Sequence, residues 1–135
     1  MDDKLSVLAR ADDGRLKRFA ETLIPHLGEV EVVQSRSGLV MLPMRDTAGG
    51  VAFHLGEVLM SEAHIRSGEA IGYGMRRGHD LEASMAMALV DLALKTDTHA
   101  DACSAFCAAE AKKLAEADDA TLRRVEATRV NMETF

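Results

Sequence analysis

The stretch from Gly68 to Lys95 constrains the fold more than any other part of the chain. It reads GEAIGYGMRRG and then HDLEASMAMALVDLALK, so its apolar residues change from alternation to helical spacing within a few positions. Asp80 lies at this change, and aspartate is a preferred N-cap residue. The stretch therefore predicts a strand, a turn and a helix, around which an antiparallel sheet and its covering helices are arranged.

Both of these predicted elements have surfaces that need a close neighbour. In the strand, Gly72 and Gly74 line one face, which lets a helix or another backbone approach closely. In the helix, the apolar arc covers well over half of the circumference and leaves only a polar stripe of Ser84, Asp91 and Lys95. A helix of this kind is covered on more than one side.

Two short helices are predicted before this stretch, because helical spacing there is interrupted by breaks. The first helix ends near Arg10, and Asp12-Asp13-Gly14 combines a break with a new N-cap signal. Helical spacing then resumes until Pro25 and Gly28, which stop the second helix. Together these segments form a small helical hairpin.

Strand patterns fill the region between residues 29 and 66. The alternation that begins at Glu29 is broken at Val33-Gln34, which indicates a bulge. Residues 38–42 form a continuous apolar run, which is buried on both faces or against a partner. Residues 51–66 form the longest predicted strand, with a bend at Gly56. This strand exceeds the usual length, which favours contact with a partner chain.

The C-terminal part of the chain is rich in alanine and helical in spacing. Residues 99–117 predict one helix, Asp118-Asp119 interrupts it, and a last helical segment follows. The fold prediction is α+β, with an antiparallel sheet of three to four strands flanked by N-terminal and C-terminal helices. Residues 1–135 form a single domain, because no repeat or low-complexity linker divides the chain and its length suits one core.

Composition disfavours several function classes. The formal net charge of −6 disfavours nonspecific binding to nucleic acid. No run of about 18 apolar residues is present, so we expect no membrane helix. The charged beginning of the chain is unlike a secretory signal, and the cytoplasm is the expected compartment. Eight methionines beside four Phe and one Tyr predict an adaptable core or interface.

The sequence contains no recognisable catalytic or metal-binding motif. Its five histidines lack ligand spacing, so separate surface or capping histidines are favoured over a metal site. Cys103 and Cys107 are four residues apart on one helix face, which favours core packing over half of a metal site. No nucleophile triad, GxGxxG or P-loop occurs. We therefore expect no catalytic residue, metal ligand or cofactor in this chain.

Three charged residues beside apolar segments each have two interpretations. Asp91 looks like a buried acid, but Lys95 four residues later favours a solvated helix pair over a catalytic carboxylate. Arg76 and Arg77 end a strand next to a helix N-terminus, where anions are favoured. Exposed charges at the end of a strand are the favoured interpretation for these two arginines.

The candidate binding residues are Arg45, Gly49, Gly50 and Arg129, as anion or partner contacts. Arg45 and the two glycines resemble a small anion-binding loop, although a plain hairpin loop is the favoured interpretation. Arg129 falls on the apolar side of the last predicted helix, where a guanidinium needs a carboxylate, a carbonyl group or a phosphate. A structural ion pair or an interface contact is favoured there over ligand binding.

Four blocks of the sequence carry a family resemblance. They are SGLVMLPMRDTAGG (37–50), VAFHLGEVLMSEAHIR (51–66), IGYGMRRGHDLEASMAMALVDLAL (71–94) and EATRVNMETF (126–135). In this order, they resemble blocks of PhnG, the small G subunit of the bacterial carbon–phosphorus lyase core complex. The chain departs from the family pattern at His79, Asn131, Met132 and Glu133, which affects an anion role at the turn and the contact of the C-terminal tail.

The resemblance implies a role in the use of phosphonates as a phosphorus source. With its H and I partner subunits and the L component, the family supports synthesis of α-D-ribose 1-methylphosphonate 5-triphosphate, and the J subunit is a further partner in the core complex. ATP and methylphosphonate are the substrates of the complex, and adenine is released. The resemblance thus implies a transferase subunit that is inactive alone, binds these partners and self-associates. The competing hypotheses are a stand-alone anion-binding module or enzyme and a homo-oligomeric structural protein.

Overall fold

A computed structural model gives the fold of residues 2–45 and 52–133, the described part of the chain. Its elements are α1 (Asp2–Arg10), α2 (Asp13–Leu27), β1 (Glu31–Arg45), β2 (Ala52–Ser67), β3 (Ala70–Arg77), α3 (Leu81–Lys95) and α4 (Ala100–Glu133). The three strands form one antiparallel sheet in the order β1-β2-β3. This combination of sheet and flanking helices confirms the predicted α+β class.

The hairpin of β1 and β2 extends well beyond the third strand. β1 pairs with β2 from Glu31 to Arg45, whereas β3 pairs only with residues 60–67 of β2. The bulge predicted in β1 is confirmed, because the register shifts between Val32 and Gln34. The distal part of the hairpin is therefore a two-stranded ribbon within the described residues.

The apolar run of β1 lies on this distal ribbon and is exposed. Leu39, Val40 and Met41 are 64%, 41% and 58% exposed. Burial of the run on both faces within this chain is therefore a wrong prediction, because β1 is an edge strand that pairs with β2 alone in the described residues. The alternative, cover by a partner, stays a prediction.

Helix α3 lies directly on the glycine face of β3. A Cβ atom at Gly72 would collide with the carbonyl oxygen of Ala88, and one at Gly74 with that of Ser84. Most of the α3 residues between 83 and 93 are buried against the sheet, α2 and the neighbouring helices. The predicted close backbone approach and the predicted cover on several sides of this helix are both confirmed.

The core lies between the sheet, α3 and the three other helices. Its larger members are Leu8, Leu16, Leu23, Leu27, Ile65, Met87, Val90, Leu92, Cys103 and Cys107. The rings of Phe19 and Phe106 stack with their centroids 4.6 Å apart and join α2 to α4. The core packing predicted for Cys103 and Cys107 is confirmed, because these side chains are 0% and 4% exposed.

Helix α2 passes through its proline before it ends. Pro25 lies inside the helix, which continues to Leu27, and Gly28 follows at a φ of 71°. Pro25 therefore does not stop the helix, in contrast to the prediction. A proline in the last turn removes one hydrogen bond, and the buried side chains of Leu23 and Leu27 still hold that turn against the core.

Helix α4 is continuous, so the predicted interruption at Asp118-Asp119 is wrong. The helix spans 34 residues, from Ala100 to Glu133. The Asp118 carboxylate pairs with Arg10 of α1 at 3.1 Å. An aspartate that is engaged in this way does not cap a new helix, and the alanine-rich sequence around it favours continued helix.

Replacing Gly74 by alanine tests the close approach of α3 to β3. The added methyl group would meet the carbonyl oxygen of Ser84, so the helix must move away from the sheet. We expect the free energy of unfolding to fall by about 1–3 kcal/mol in urea denaturation, as for other overpacked cores.

Gly38→Ala is the matched control for this substitution. Gly38 is also a strand glycine, but a Cβ atom there meets no atom within 4 Å. The free energy of unfolding of this variant should stay within about 0.5 kcal/mol of the parent value. Equal losses of stability in the Gly38 and Gly74 variants would contradict the close packing.

Candidate functional site

The buried arginine of β3 holds the loop between α1 and α2. Arg76 is 7% exposed, and its guanidinium donates to the carbonyl oxygens of Leu8 and Ala11. It also pairs with the Asp13 carboxylate at 2.5 Å. The interpretation of Arg76 as an exposed charge is wrong, because strand alternation turns its side chain towards the helices. The next residue, Arg77, is exposed as predicted.

A second buried charge, Glu110 of α4, binds the same loop. Its carboxylate accepts hydrogen bonds from the backbone N–H of Asp12 at 3.2 Å and from Arg15 Nε at 2.9 Å. The bond from the Arg15 guanidinium holds the pKa of Glu110 below its ordinary value of 4.5, although burial acts in the opposite direction. Paired in this way, Glu110 has the surroundings of a structural ion pair.

Asp91 of α3 joins the helix to the sheet. Its carboxylate accepts the backbone N–H of Tyr73 at 2.9 Å and pairs with Lys95 Nζ at 2.9 Å. The predicted pairing with Lys95 is confirmed, but Asp91 is only 5% exposed, so the interpretation as a solvated pair is wrong. The reason is tertiary: the close approach of α3 to β3 buries a polar stripe that a helical wheel leaves open.

Metal-binding side chains are dispersed in the described residues. These residues hold no group of three or more His, Cys, Asp or Glu side chains that could bind a metal ion. Burial raises the pKa of the Cys103 thiol to about 11, and the thiolate is the form that binds metals. The rings of His26 and His99 contact each other with centroids 4.3 Å apart, at the end of α2 and just before α4.

Two of the four candidate binding residues, Arg45 and Arg129, lie on separate elements. Arg45 is the last residue of β1, at the loop end of the hairpin, and Gly49 and Gly50 lie outside the described residues. Arg129 lies near the C-terminal end of α4. Anion binding by the loop and the contact made by Arg129 stay predictions.

The sheet carries a polar cluster that sequence reasoning missed. Glu62 accepts hydrogen bonds from Arg36 Nε at 3.2 Å and from the Tyr73 hydroxyl at 3.3 Å. The ring of His64 lies 4.8 Å from that of Tyr73, and its Nε2 atom is buried with no hydrogen-bond partner in the described part of the chain. Burial and the Glu62 carboxylate raise the pKa of Tyr73, which keeps the phenol protonated. Only the strand register brings these side chains together.

An exposed apolar surface lies on the distal ribbon, and we call Leu39, Met41 and Leu59 the hairpin surface. Leu39 pairs directly with Leu59, and alternation puts Met41 on the same side of the sheet. The hydroxyl of Ser61 donates to the carbonyl oxygen of Asp80 at 3.3 Å, so α3 begins above Ser61. Beyond that point, the exposed side chains of Leu39, Met41 and Leu59 show no cover by α3 in the described residues.

The second half of α4 is exposed as well. Leu122 and Val125, one turn apart, are 62% and 56% exposed, and every side chain from 115 to 128 is exposed. With 34 residues, α4 extends for about 51 Å. None of the described helices combines the length and apolar content that crossing a bilayer requires. We call Leu122 and Val125 the α4 surface.

Comparison with protein families decides which kind of protein has this arrangement. The family model described as phosphonate metabolism protein PhnG matches residues 2–135. The chain belongs to the PhnG family. A comparison with curated protein sequences finds no match. The family match confirms the resemblance and indicates a role in phosphonate metabolism. The matched residues of this PhnG-family chain include those of the hairpin surface and the α4 surface.

Glu110→Gln tests the buried ion pair through pH. A carboxyl group whose pKa is lowered on folding stabilises the fold above its ordinary pKa of 4.5, and this stability is lost as pH falls through the lowered value. We expect the variant to be less stable than the parent at neutral pH and to lose less stability on acidification, measured by urea unfolding across a pH series.

Glu116→Gln is the control for this pH experiment, because Glu116 is exposed on the same helix. It should reproduce the pH profile of the parent. If Glu110→Gln also follows the parent profile, the carboxylate of Glu110 does not contribute to folding in the way that its contacts indicate.

Proposed function

We propose that this PhnG-family chain is a subunit of the carbon–phosphorus lyase core complex and is inactive alone. In the reaction of the complex, methylphosphonate would become bonded through oxygen to C1 of the ribose of ATP, and adenine would leave as that bond forms. The product is α-D-ribose 1-methylphosphonate 5-triphosphate. The chain would support this transfer by binding and positioning the subunits that perform it.

The observation that carries this proposal is the exposed apolar area on two long elements. An isolated two-stranded ribbon is marginally stable in water, so the hairpin surface gains from a partner. Exposed apolar patches on soluble proteins mark interaction sites. The partners would be the H, I and J subunits and the L component, with the I subunit on the hairpin surface and a second copy of the chain in the same complex.

The contacts of the buried charged residues also support the proposal. Arg76, Asp91 and Glu110 are the buried charged residues of the described chain, and each is bonded to backbone groups and to an opposite charge. Contacts of this kind join elements of the fold to one another. A subunit that contributes surfaces to a partner's reaction fits this distribution.

Adenine release distinguishes a supporting subunit from a stand-alone enzyme. We expect no adenine from ATP and methylphosphonate with the purified chain alone, and steady release when the H, I and L partners are added. Omission of this chain from the complete mixture should abolish release. Adenine formed by the chain alone, or full activity without it, would contradict the proposal.

Leu39→Asp tests the hairpin surface as the contact with the I subunit. A buried carboxylate without a partner is costly at an interface, so copurification with the I subunit should fall at least tenfold. Ile24→Asp is the matched control, because Ile24 is also an exposed aliphatic residue (53%) but lies on α2. It should copurify like the parent, and circular dichroism should show that both variants are folded. Normal copurification of Leu39→Asp would remove the I subunit from this surface.

A further inference from the structure

A cavity lies between α1, α3 and α4, away from the hairpin surface. Its volume is about 340 Å³, and four of the eight residues that line it are leucine or alanine. Polar groups enter it from three helices: Lys4 from α1, Asp91 and Lys95 from α3, and Ser104 from α4. A mainly apolar cavity of this size with a few convergent polar groups is typical of a small-molecule site.

The charges in this cavity do not cancel. Lys95 is neutralised locally, because its ammonium group pairs with Asp91 and donates to the carbonyl oxygen of Ile71 at 2.9 Å. Lys4 donates to the Ser104 hydroxyl at 3.2 Å and forms no ion pair with any carboxylate in the described residues. One positive charge with free donor capacity therefore faces the cavity, since an ammonium group has three donors.

The hydrogen bond between Lys4 and Ser104 does not by itself account for this space. It joins α1 to α4, two helices that pack on each other. Such a link needs no adjoining volume, yet the cavity is roughly ten times the share of liquid volume that one water molecule takes, about 30 Å³. The size and the uncompensated cation together point to an organic ligand.

We propose that this cavity binds one small organic anion with a short apolar substituent. The Lys4 ammonium and the Ser104 hydroxyl would donate to the oxygens of the anion, and Leu5 and Leu94 would contact the substituent. A polyphosphate is disfavoured because Lys4 is the one cation of these walls without a carboxylate partner among the described residues, so further negative charges on the ligand would lack an opposite charge. Methylphosphonate is the anion of this class that the proposed function supplies, and in that choice the inference rests on the proposed function.

Titration of the isotope-labelled chain with methylphosphonate, followed by amide chemical shifts, tests the site. We expect shifts concentrated around Lys4, Leu94 and Ser104. Lys4→Met, which keeps an unbranched side chain one atom shorter and removes its charge, should weaken binding at least tenfold, and Ser104→Ala severalfold. Lys112→Met is the matched control on an exposed part of α4 and should bind like the parent.

Two further ligands test the apolar substituent and the choice of a phosphonate separately. Inorganic phosphate keeps the charged oxygens without the apolar substituent and should bind more weakly than methylphosphonate. Acetate offers a small apolar group on a carboxylate, and its binding at the same residues with higher affinity would overturn the choice of a phosphonate. Absence of shifts at the cavity with all three anions would overturn the site itself.

The shifts of the parent chain map the site even if Lys4→Met is unstable, and thermal unfolding identifies that case. This experiment uses the chain without its partners. Adenine release uses the complete mixture, so the two proposals can fail separately: loss of anion binding leaves the supporting role intact, and absence of adenine release leaves a measured anion site intact.

Discussion

The fold depends on the contact between the backbone of α3 and the glycine face of β3. Gly72 and Gly74 carry no side chains, so the helix lies close enough for Asp91 to accept the backbone N–H of Tyr73. The same approach sets the start of α3 above the sheet, where Asp80 caps the helix and pairs with Lys17 of α2 at 2.6 Å. Helix α2 packs on α3 beside this contact.

Buried charges then close the structure around the loop between α1 and α2. Arg76 reaches this loop from β3, and Glu110 reaches it from α4. Each charge meets both an opposite charge and a backbone group, which offsets much of the cost of its burial. Since these charged groups hold the fold together, the candidate functional regions are the accessible ones: the hairpin surface, the α4 surface and the cavity beside Lys4.

The separation of paired buried charges from exposed apolar surfaces suits a member of the PhnG family that acts with partners. The compact part of the chain, around α3, has its buried charged residues paired, whereas two long elements extend apolar residues away from it. Both extended elements are anchored in the compact part at one end, and regular secondary structure limits the conformations that their backbones lose on binding. The cavity is lined by α1, by the end of α3 and by the first residues of α4, so it lies apart from the hairpin surface and from the exposed half of α4.

Local pattern determined much of the fold. The alternation and the glycines of β3, the Asp80 cap, the bulge near Val33 and the long strand all follow from residue spacing within a few positions. The inward direction of Arg76, the burial of Asp91 and the continuity of α4 through Asp118 were decided by tertiary structure, because the partner of each residue lies on another element. The Lys4–Ser104 contact joins residues 100 positions apart. Residue spacing along the chain cannot predict such a contact, because it forms only when α1 and α4 pack together in the tertiary structure.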